Sequence, residues 1–246
     1  MSTRFITPDW PAPSNIKSLS TTRHGGASQP PYDSFNLGTH VGDQAARVEQ
    51  NRQTLLNQAR LPEPPRWLNQ VHGTSVISAN DWLGNDDADA IDSKQLNQVC
   101  VVMTADCLPI LLCNKQGHHV AAIHAGWRSL AAGIIEKTLQ RFECQADDLM
   151  VWLGPAIGPQ QFEVGSDVVT AFSHNSPIAL DAFTQTDSSH YLADIYLLAK
   201  QKLNAHGVHA IFGGDRCTMT ESSDFFSYRR DGMTGRMASM IWIEHK

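Results

Sequence analysis

A chain of 246 residues with 41% apolar content is long enough for one large domain or two small ones and carries ample material for a core. Its formal charge of −6, with no basic block, argues against nucleic acid or an anionic membrane surface as a partner. The opening MSTRFITPDWPAPSN lacks the apolar stretch of a secretory signal, and the longest apolar run, Val99–Cys113, is broken by Asp106 and falls short of the ~20 residues of a bilayer span. Five cysteines, an odd number with no close CxxC pair, suit a reducing compartment, so the composition predicts a soluble, cytoplasmic chain.

In chain order, about the first fifteen residues read as a lead-in. Asp43 is placed to cap a helix over Gln44–Ala59 with Val48, Leu55, Leu56 and Ala59 on one face. Short β-type runs follow at Trp67–Val71, Ser75–Ser78, Val99–Thr104, Leu108–Cys113 and His119–Ile123. Ser129 is placed to cap a second helix carrying Ile134, Ile135, Thr138, Leu139 and Phe142. Beyond a strand at Met150–Leu153, a third helix is predicted over Tyr191–Ala205, ending at Gly207. Further β-runs are Val208–Phe212, Phe225–Tyr228 and Met237–Ile243. Hairpin-like neighbours at Leu108–Ile123 and Phe225–Ile243 point to antiparallel pairing. With no repeat or linker in view, the expectation is a single α+β domain, 1–246, built on a mixed sheet with helices packed against it.

The polar loop Asn114–Gly117 joins two apolar arms and reads as a hairpin turn. If it is centred between Lys115 and Gln116, Cys107 faces His124. Directly opposed residues have Cβ atoms about 4.5–5.5 Å apart, so a thiolate and an imidazole there could share a metal ion or form a nucleophile–base pair. A catalytic zinc usually has three protein ligands, and His72, where a β-run breaks at Gly73, is the best-placed third. Cys113, six residues along from Cys107, is about 20 Å away at ~3.3 Å per residue and cannot join the same ion. Cys100, Cys144 and Cys217 read as small buried hydrophobes. After His124 the chain runs Ala125-Gly-Trp-Arg-Ser129 into a helix, an anion-friendly turn beside the metal to which Arg128 would add charge and where Trp127 could stack on a planar substrate. Arg229 in Tyr228-Arg-Arg-Asp-Gly232 and Arg23 in Arg23-His-Gly-Gly26 are further candidates for phosphate or carboxylate.

Seven segments, STTRHGGAS, FNLGTHVGD, NQVHGT, TADCLPILL, HAGWRSLAAGI, GPAIGP and FFSYRRDGMTGRMAS, run from about Leu19 to Ser239. On them the chain resembles the bacterial laccase-domain proteins of the YfiH type, once labelled multicopper polyphenol oxidoreductases. The resemblance implies a zinc ion on His72, Cys107 and His124, and a fold similar to the necrotizing-factor toxins. It also implies phosphorolysis of adenosine, inosine and methylthioadenosine to free base and ribose 1-phosphate, with deamination of adenosine. Purine nucleoside and phosphate are then the partners, and Arg128, Trp127, Arg229, Arg23 and Asn36 are the candidate substrate- and phosphate-binding residues beside the catalytic His72, Cys107 and His124.

The residues weigh the chemistries differently. The nucleobase-deaminase pattern H-x-E with P-C-x-x-C is absent, and Asp106, expected on the opposite strand face from Cys107, is a weak replacement for its glutamate. Copper polyphenol oxidation needs His-x-His pairs, and the eleven histidines form none, so copper is disfavoured as the metal. The stronger rival is a cysteine hydrolase with Cys107 as nucleophile and His124 as base, an amidase editing cytoplasmic peptidoglycan precursors. Metal occupancy separates the two, because a thiolate bound to zinc is a poor free nucleophile.

Overall fold

The structure, a computed structural model, describes residues 4–84, 86–174 and 176–245. In chain order the strands are β1 (Phe5–Ile6), β2 (Ile16–Thr21), β3 (Val76–Ser78), β4 (Ala90–Ser93), β5 (Cys100–Thr104), β6 (Leu108–Asn114) and β7 (Val120–Ala125). They continue with β8 (Leu149–Leu153), β9 (Glu163–Gly165), β10 (Phe183–Gln185), β11 (His190–Ala193), β12 (Ala210–Gly213) and β13 (Met237–Ile243). The helices are α1 (Ala45–Gln58), α2 (Trp127–Ala132), α3 (Ile134–Leu139), α4 (Ser166–Ser173), α5 (Ile195–Ala205) and α6 (Tyr228–Asp231).

Two sheets form the centre. One is antiparallel, in the order β1-β2-β13-β5; the other is mixed, β12-β8-β6-β7-β4-β3, with parallel pairs at its two edges. Side chains alternate across each strand, and both faces are covered. In β6, Ile110 and Leu112 pack under α2, α3 and α5, whereas Leu111 and Cys113 meet Val102 and Ile241 of the antiparallel sheet. In β13, Met240 and Trp242 turn the other way, onto Leu55 of α1. The result is a four-layer α+β domain, helix–sheet–sheet–helix, and it explains why the central strands are uniformly apolar rather than alternating. A small third sheet, β10-β11-β9, flanks the helical side. No helix among the described residues is long and apolar enough to cross a membrane.

Several local expectations are corrected. Asp43 does not cap α1: its carboxylate accepts from Ser28 Oγ at 2.6 Å and Asn36 Nδ2 at 3.0 Å, and the N-cap residue is Gln44, without a side-chain cap. Ser129 lies inside α2, which starts after Gly126 and is separated from α3 by Gly133 at φ 98°. Tyr191–Ala193 is strand, because it pairs with both β9 and β10, and α5 begins after Asp194, whose side chain accepts from Leu197 N at 2.9 Å. Phe225–Tyr228 is not a strand; β13 takes its partners from β2 and β5. Trp67–Val71 makes isolated bridges only, through Asn69 and its neighbour Arg66.

Candidate metal centre

The β6–β7 register differs from expectation by two residues. Pro109, not Cys107, lies opposite His124, because the turn is centred between Gln116 and Gly117, with Cys113 paired to Val120. An even displacement leaves the side chains on the same face. That face is turned toward the antiparallel sheet, and the segment Ala105–Cys107 is the turn that carries the chain from β5 in one sheet to β6 in the other. Cys107 therefore reaches His124 from a turn at the end of the sandwich, not from a strand rung.

This turn is held by Asp106. Its φ of 91° is in the left-handed region, which costs a non-glycine residue roughly 1–2 kcal/mol, and the cost is offset by buried bonds. One carboxylate oxygen accepts from Thr218 Oγ1 at 2.6 Å, the other from Arg229 N at 2.6 Å, and the carbonyl accepts from Ile157 N at 2.9 Å. Asp106 thus positions the cysteine and the Tyr228–Arg229 segment together.

His72 also sits at positive φ, 58°, in a loop organised by one buried carboxylate. The amides of Val71, His72 and Gly73 donate to Asp89 at 3.3, 3.0 and 2.6 Å. Asp89 stands at the head of β4, where the register places it opposite His124: His124 N donates to its carbonyl at 2.7 Å and His124 Nδ1 to its carboxylate at 2.7 Å. With Nδ1 taken, Nε2 is left for the centre, the arrangement in which a carboxylate orients a metal-binding imidazole. The rings of His72 and His124 meet edge to face with centroids 4.8 Å apart, and Cys107 Sγ lies 3.9 Å from His72 Nε2.

One ligand atom from each of His72, Cys107 and His124 falls within 4.8 Å of the others, so this group could hold a metal ion. The space is kept by Gly126. A Cβ there would come within 2.8 Å of His72 Cδ2 and 3.2 Å of Cys107 Sγ. Burial by itself would push the Cys107 thiol up, but the charge of His124 and hydrogen bonds from both histidines outweigh it and bring the thiol down to about 6. Burial likewise opposes charge on His124, and the Cys107 thiolate with the Asp89 bond lifts it to about 9. Burial would also raise Asp89, yet its bonds to His124, Gly73 and His72 hold it below the usual carboxylate range. Two nitrogen donors and a readily formed thiolate are a donor set of the kind that takes zinc or copper(I).

Beside the ligands opens a cavity of about 240 Å³. Trp127 and Arg128 form one wall, the guanidinium 4.5 Å from the indole centroid; Arg229, 5.6 Å from the Phe162 centroid, and the exposed Tyr228 contribute to the rest. Arg23 and Asn36 are not among its lining residues. Arg23 binds the carbonyls of Asp33 and Ser222, and buried Asn36 uses its amide on Gly38, Asp43 and the Arg236 backbone. Sequence reasoning missed Asp89, Gly126 and Phe162. Asp89 carried a usable signal, an acid standing directly before the apolar pair Ala90–Ile91.

The family model described as multi-copper polyphenol oxidoreductase laccase matches residues 17–244. Among curated relatives, the purine nucleoside phosphorylase YfiH of Escherichia coli is 52% identical, the match covering 98% of this chain and 99% of the relative. A purine nucleoside phosphorylase of Pseudomonas aeruginosa is 48% identical, with 98% of each chain covered. Among solved structures, a Neisseria meningitidis protein superposes with a TM-score of 0.95 at 49% identity over 98% of this chain and 99% of that one. YlmD from Geobacillus stearothermophilus gives 0.89 at 30%, over 98% and 96%. With its whole length shared with such relatives, and a His–Cys–His group at the junction of its two sheets, the chain belongs to the multi-copper polyphenol oxidoreductase laccase family of YfiH-type proteins.

Proposed function

We propose that the chain is a cytoplasmic, zinc-dependent purine nucleoside phosphorylase, acting on adenosine, inosine and methylthioadenosine. The observation that carries this reading is a small cavity that is lined by His72 and Cys107 of the His72–Cys107–His124 group and walled by aromatic rings and arginines. The cavity is below the ~300–1,000 Å³ of sites for drug-sized ligands, and suits a fragment the size of a nucleobase or a pentose. Trp127 and Tyr228 offer faces for a purine, and Arg128 and Arg229 put positive charge at the mouth. The curated relatives named above carry the same activity in their names.

When bound, zinc supplies Lewis acidity beside this cavity. Asp89 fixes the His124 tautomer, Gly126 leaves the ligands room, and Asp106 docks the Tyr228–Arg229 segment over the cavity. In phosphorolysis a phosphate oxygen forms the new bond to C1′ of the ribose while the glycosidic C–N bond breaks and its electron pair leaves with the base. Deamination is the less supported of the two activities. The one carboxylate among the lining residues, Asp106, is already committed to Thr218 and Arg229 and is not free to shuttle protons.

A second reading, the Cys107–His124 amidase acting on peptidoglycan precursors, is favoured by the depressed thiol and elevated imidazole, which make a thiolate–imidazolium pair. Metal analysis of protein purified without added metal, native against Cys107→Ala, decides between them. About one zinc per chain, lost in the variant, together with phosphate-dependent release of base from adenosine or inosine, is the expected result. Metal-free protein with a readily alkylated Cys107 and no phosphorolysis overturns the first reading in favour of the second.

A further inference from the structure

Three stretches that line the cavity are far apart in sequence: the turn Ala105–Cys107, the loop through Ile157, and α6 with Tyr228 and Arg229. None of the three lies in a strand ladder, and a helix as short as α6 has no direction of its own. Their common support is Thr218, which is fully buried and does not line the cavity. Its Oγ1 donates to the Asp106 carboxylate at 2.6 Å, its N donates to Ala156 O at 3.0 Å, and its carbonyl accepts from Arg230 Nη1 at 2.9 Å. Each polar group of this one residue therefore serves a different wall.

The bond to Asp106 reaches both sides of the site. The other carboxylate oxygen of Asp106 accepts from Arg229 N at 2.6 Å, and the next residue in the chain is the ligand Cys107. A buried carboxylate that lost the Thr218 hydroxyl would have to find another donor, and any rotation that found one would pull on the cysteine turn and on α6 together.

Arg230 does a narrower task. All five of its side-chain N–H donors have acceptors: Nη1 on the carbonyls of Thr218 and Met219 at 2.9 Å each, Nη2 on Phe225 O at 3.0 Å and Asp231 Oδ2 at 2.7 Å, and Nε on Asp231 Oδ1 at 2.8 Å. With its fork filled, it has nothing left for a ligand, unlike its neighbour Arg229 at the cavity wall. The backbone N of Arg230 also donates to the N-cap Ser227 Oγ at 3.2 Å, so side chain and main chain both pin α6 to the segment that carries Thr218.

We infer that Thr218 is a positioning residue that makes the metal side and the substrate side of the cavity one unit, and that Arg230 positions the substrate side alone. The inference rests on the proposed function only for the identity of the substrate.

The test follows amide exchange over residues 217–231 by mass spectrometry, zinc affinity by chelator competition, and inosine phosphorolysis in parallel. Removing zinc from the native protein should speed exchange over this segment, although none of its residues belongs to the His72–Cys107–His124 group. Thr218→Val, which keeps the shape and loses the hydroxyl, should weaken zinc roughly 3- to 10-fold and raise the inosine KM by a similar factor. That is less than the roughly 10- to 100-fold typical when the partner of a ligand itself is removed, because Thr218 acts one bond further out. Thr218→Ser restores the hydroxyl and should bring both values back to within about twofold of native. Arg230→Lys keeps the charge but not the planar fork; it should raise the inosine KM roughly 3- to 10-fold and leave kcat and zinc affinity within about twofold. Exchange indifferent to zinc, or zinc affinity indifferent to Thr218→Val, overturns the coupling. Equal loss of zinc affinity in Arg230→Lys and Thr218→Val overturns the division of tasks and reduces both residues to general support of the fold. If Thr218→Val does not fold, the exchange comparison on native protein and the Arg230→Lys split still decide. A chain that phosphorolyses no nucleoside sinks the proposed function, while the exchange and zinc measurements judge the positioning on their own.

Discussion

The strands β4 and β7 are crossed by two Asp–His pairs three residues apart on the acidic side, and they have opposite fates. Asp92 accepts from His119 Nε2 at 2.8 Å and from Arg141 Nε at 3.0 Å, and the His119 ring is stacked on Phe142 with centroids 3.8 Å apart. Its charge is matched and its imidazole is covered, so this pair is structural. Asp89 faces three loop amides and His124, with no cation beyond the imidazole, and the far side of His124 meets Cys107 and His72. The difference teaches that a buried Asp–His pair becomes chemical only when its surroundings leave the second ring nitrogen something to bind.

The comparison breaks most sharply at the carboxylates. Asp89→Asn should weaken metal binding roughly 10- to 100-fold, because it removes the orientation of His124 and loosens the His72 loop. Asp92→Asn should leave metal affinity untouched and lower stability by about 1–3 kcal/mol, the cost of breaking a buried hydrogen-bonded group. Competition titrations with a zinc chelator, alongside urea melts, read both; equal metal affinities in the two variants would falsify the distinction.

Gly126→Ala comes next. The added methyl intrudes on both His72 and Cys107, and overpacking of this kind typically costs 1–3 kcal/mol, so metal affinity should fall roughly 5- to 100-fold. An unchanged affinity in the same chelator titration would mean that the ligand-bearing turns yield more easily than their bonds suggest.

A smaller, graded effect is expected with pH. Between about 6 and about 9 the metal-free centre holds a thiolate and an imidazolium, so metal uptake displaces one proton and affinity should rise roughly tenfold per pH unit. Below about 6 the thiol is protonated too, more than one proton is displaced, and the slope should steepen; above about 9 it should flatten. Calorimetric proton counting checks the sign. No proton release at neutral pH would mean that Cys107 and His124 do not form the ion pair in the absence of metal.

Much of the fold was legible where apolar runs were long and uniform. β5, β6, β7, β8 and β13 fall within one or two residues of the predicted runs, since strands buried on both faces have no choice but to be apolar. β2, β4 and the small sheet of β9, β10 and β11 were missed: they are short or polar, and apart from the β10–β11 hairpin their partners are distant in sequence. The helix expected at Tyr191 begins only after Asp194 for the same reason, as strand pairing overrides local propensity there.

By itself the sequence determined the α+β class, the apolar strands of the core, and, through its motifs, the His72, Cys107 and His124 trio and the family. Only the tertiary structure decided how the trio meets. Opposition across a hairpin is a local rule, but Cys107 lies in a crossover turn between two sheets, where its direction is set by Asp106 and not by strand register. Likewise Asp89 and Gly126 are ordinary letters in the chain. They acquire meaning from what stands opposite them, because a carboxylate's partners and a missing methyl's neighbours are properties of space rather than of spacing.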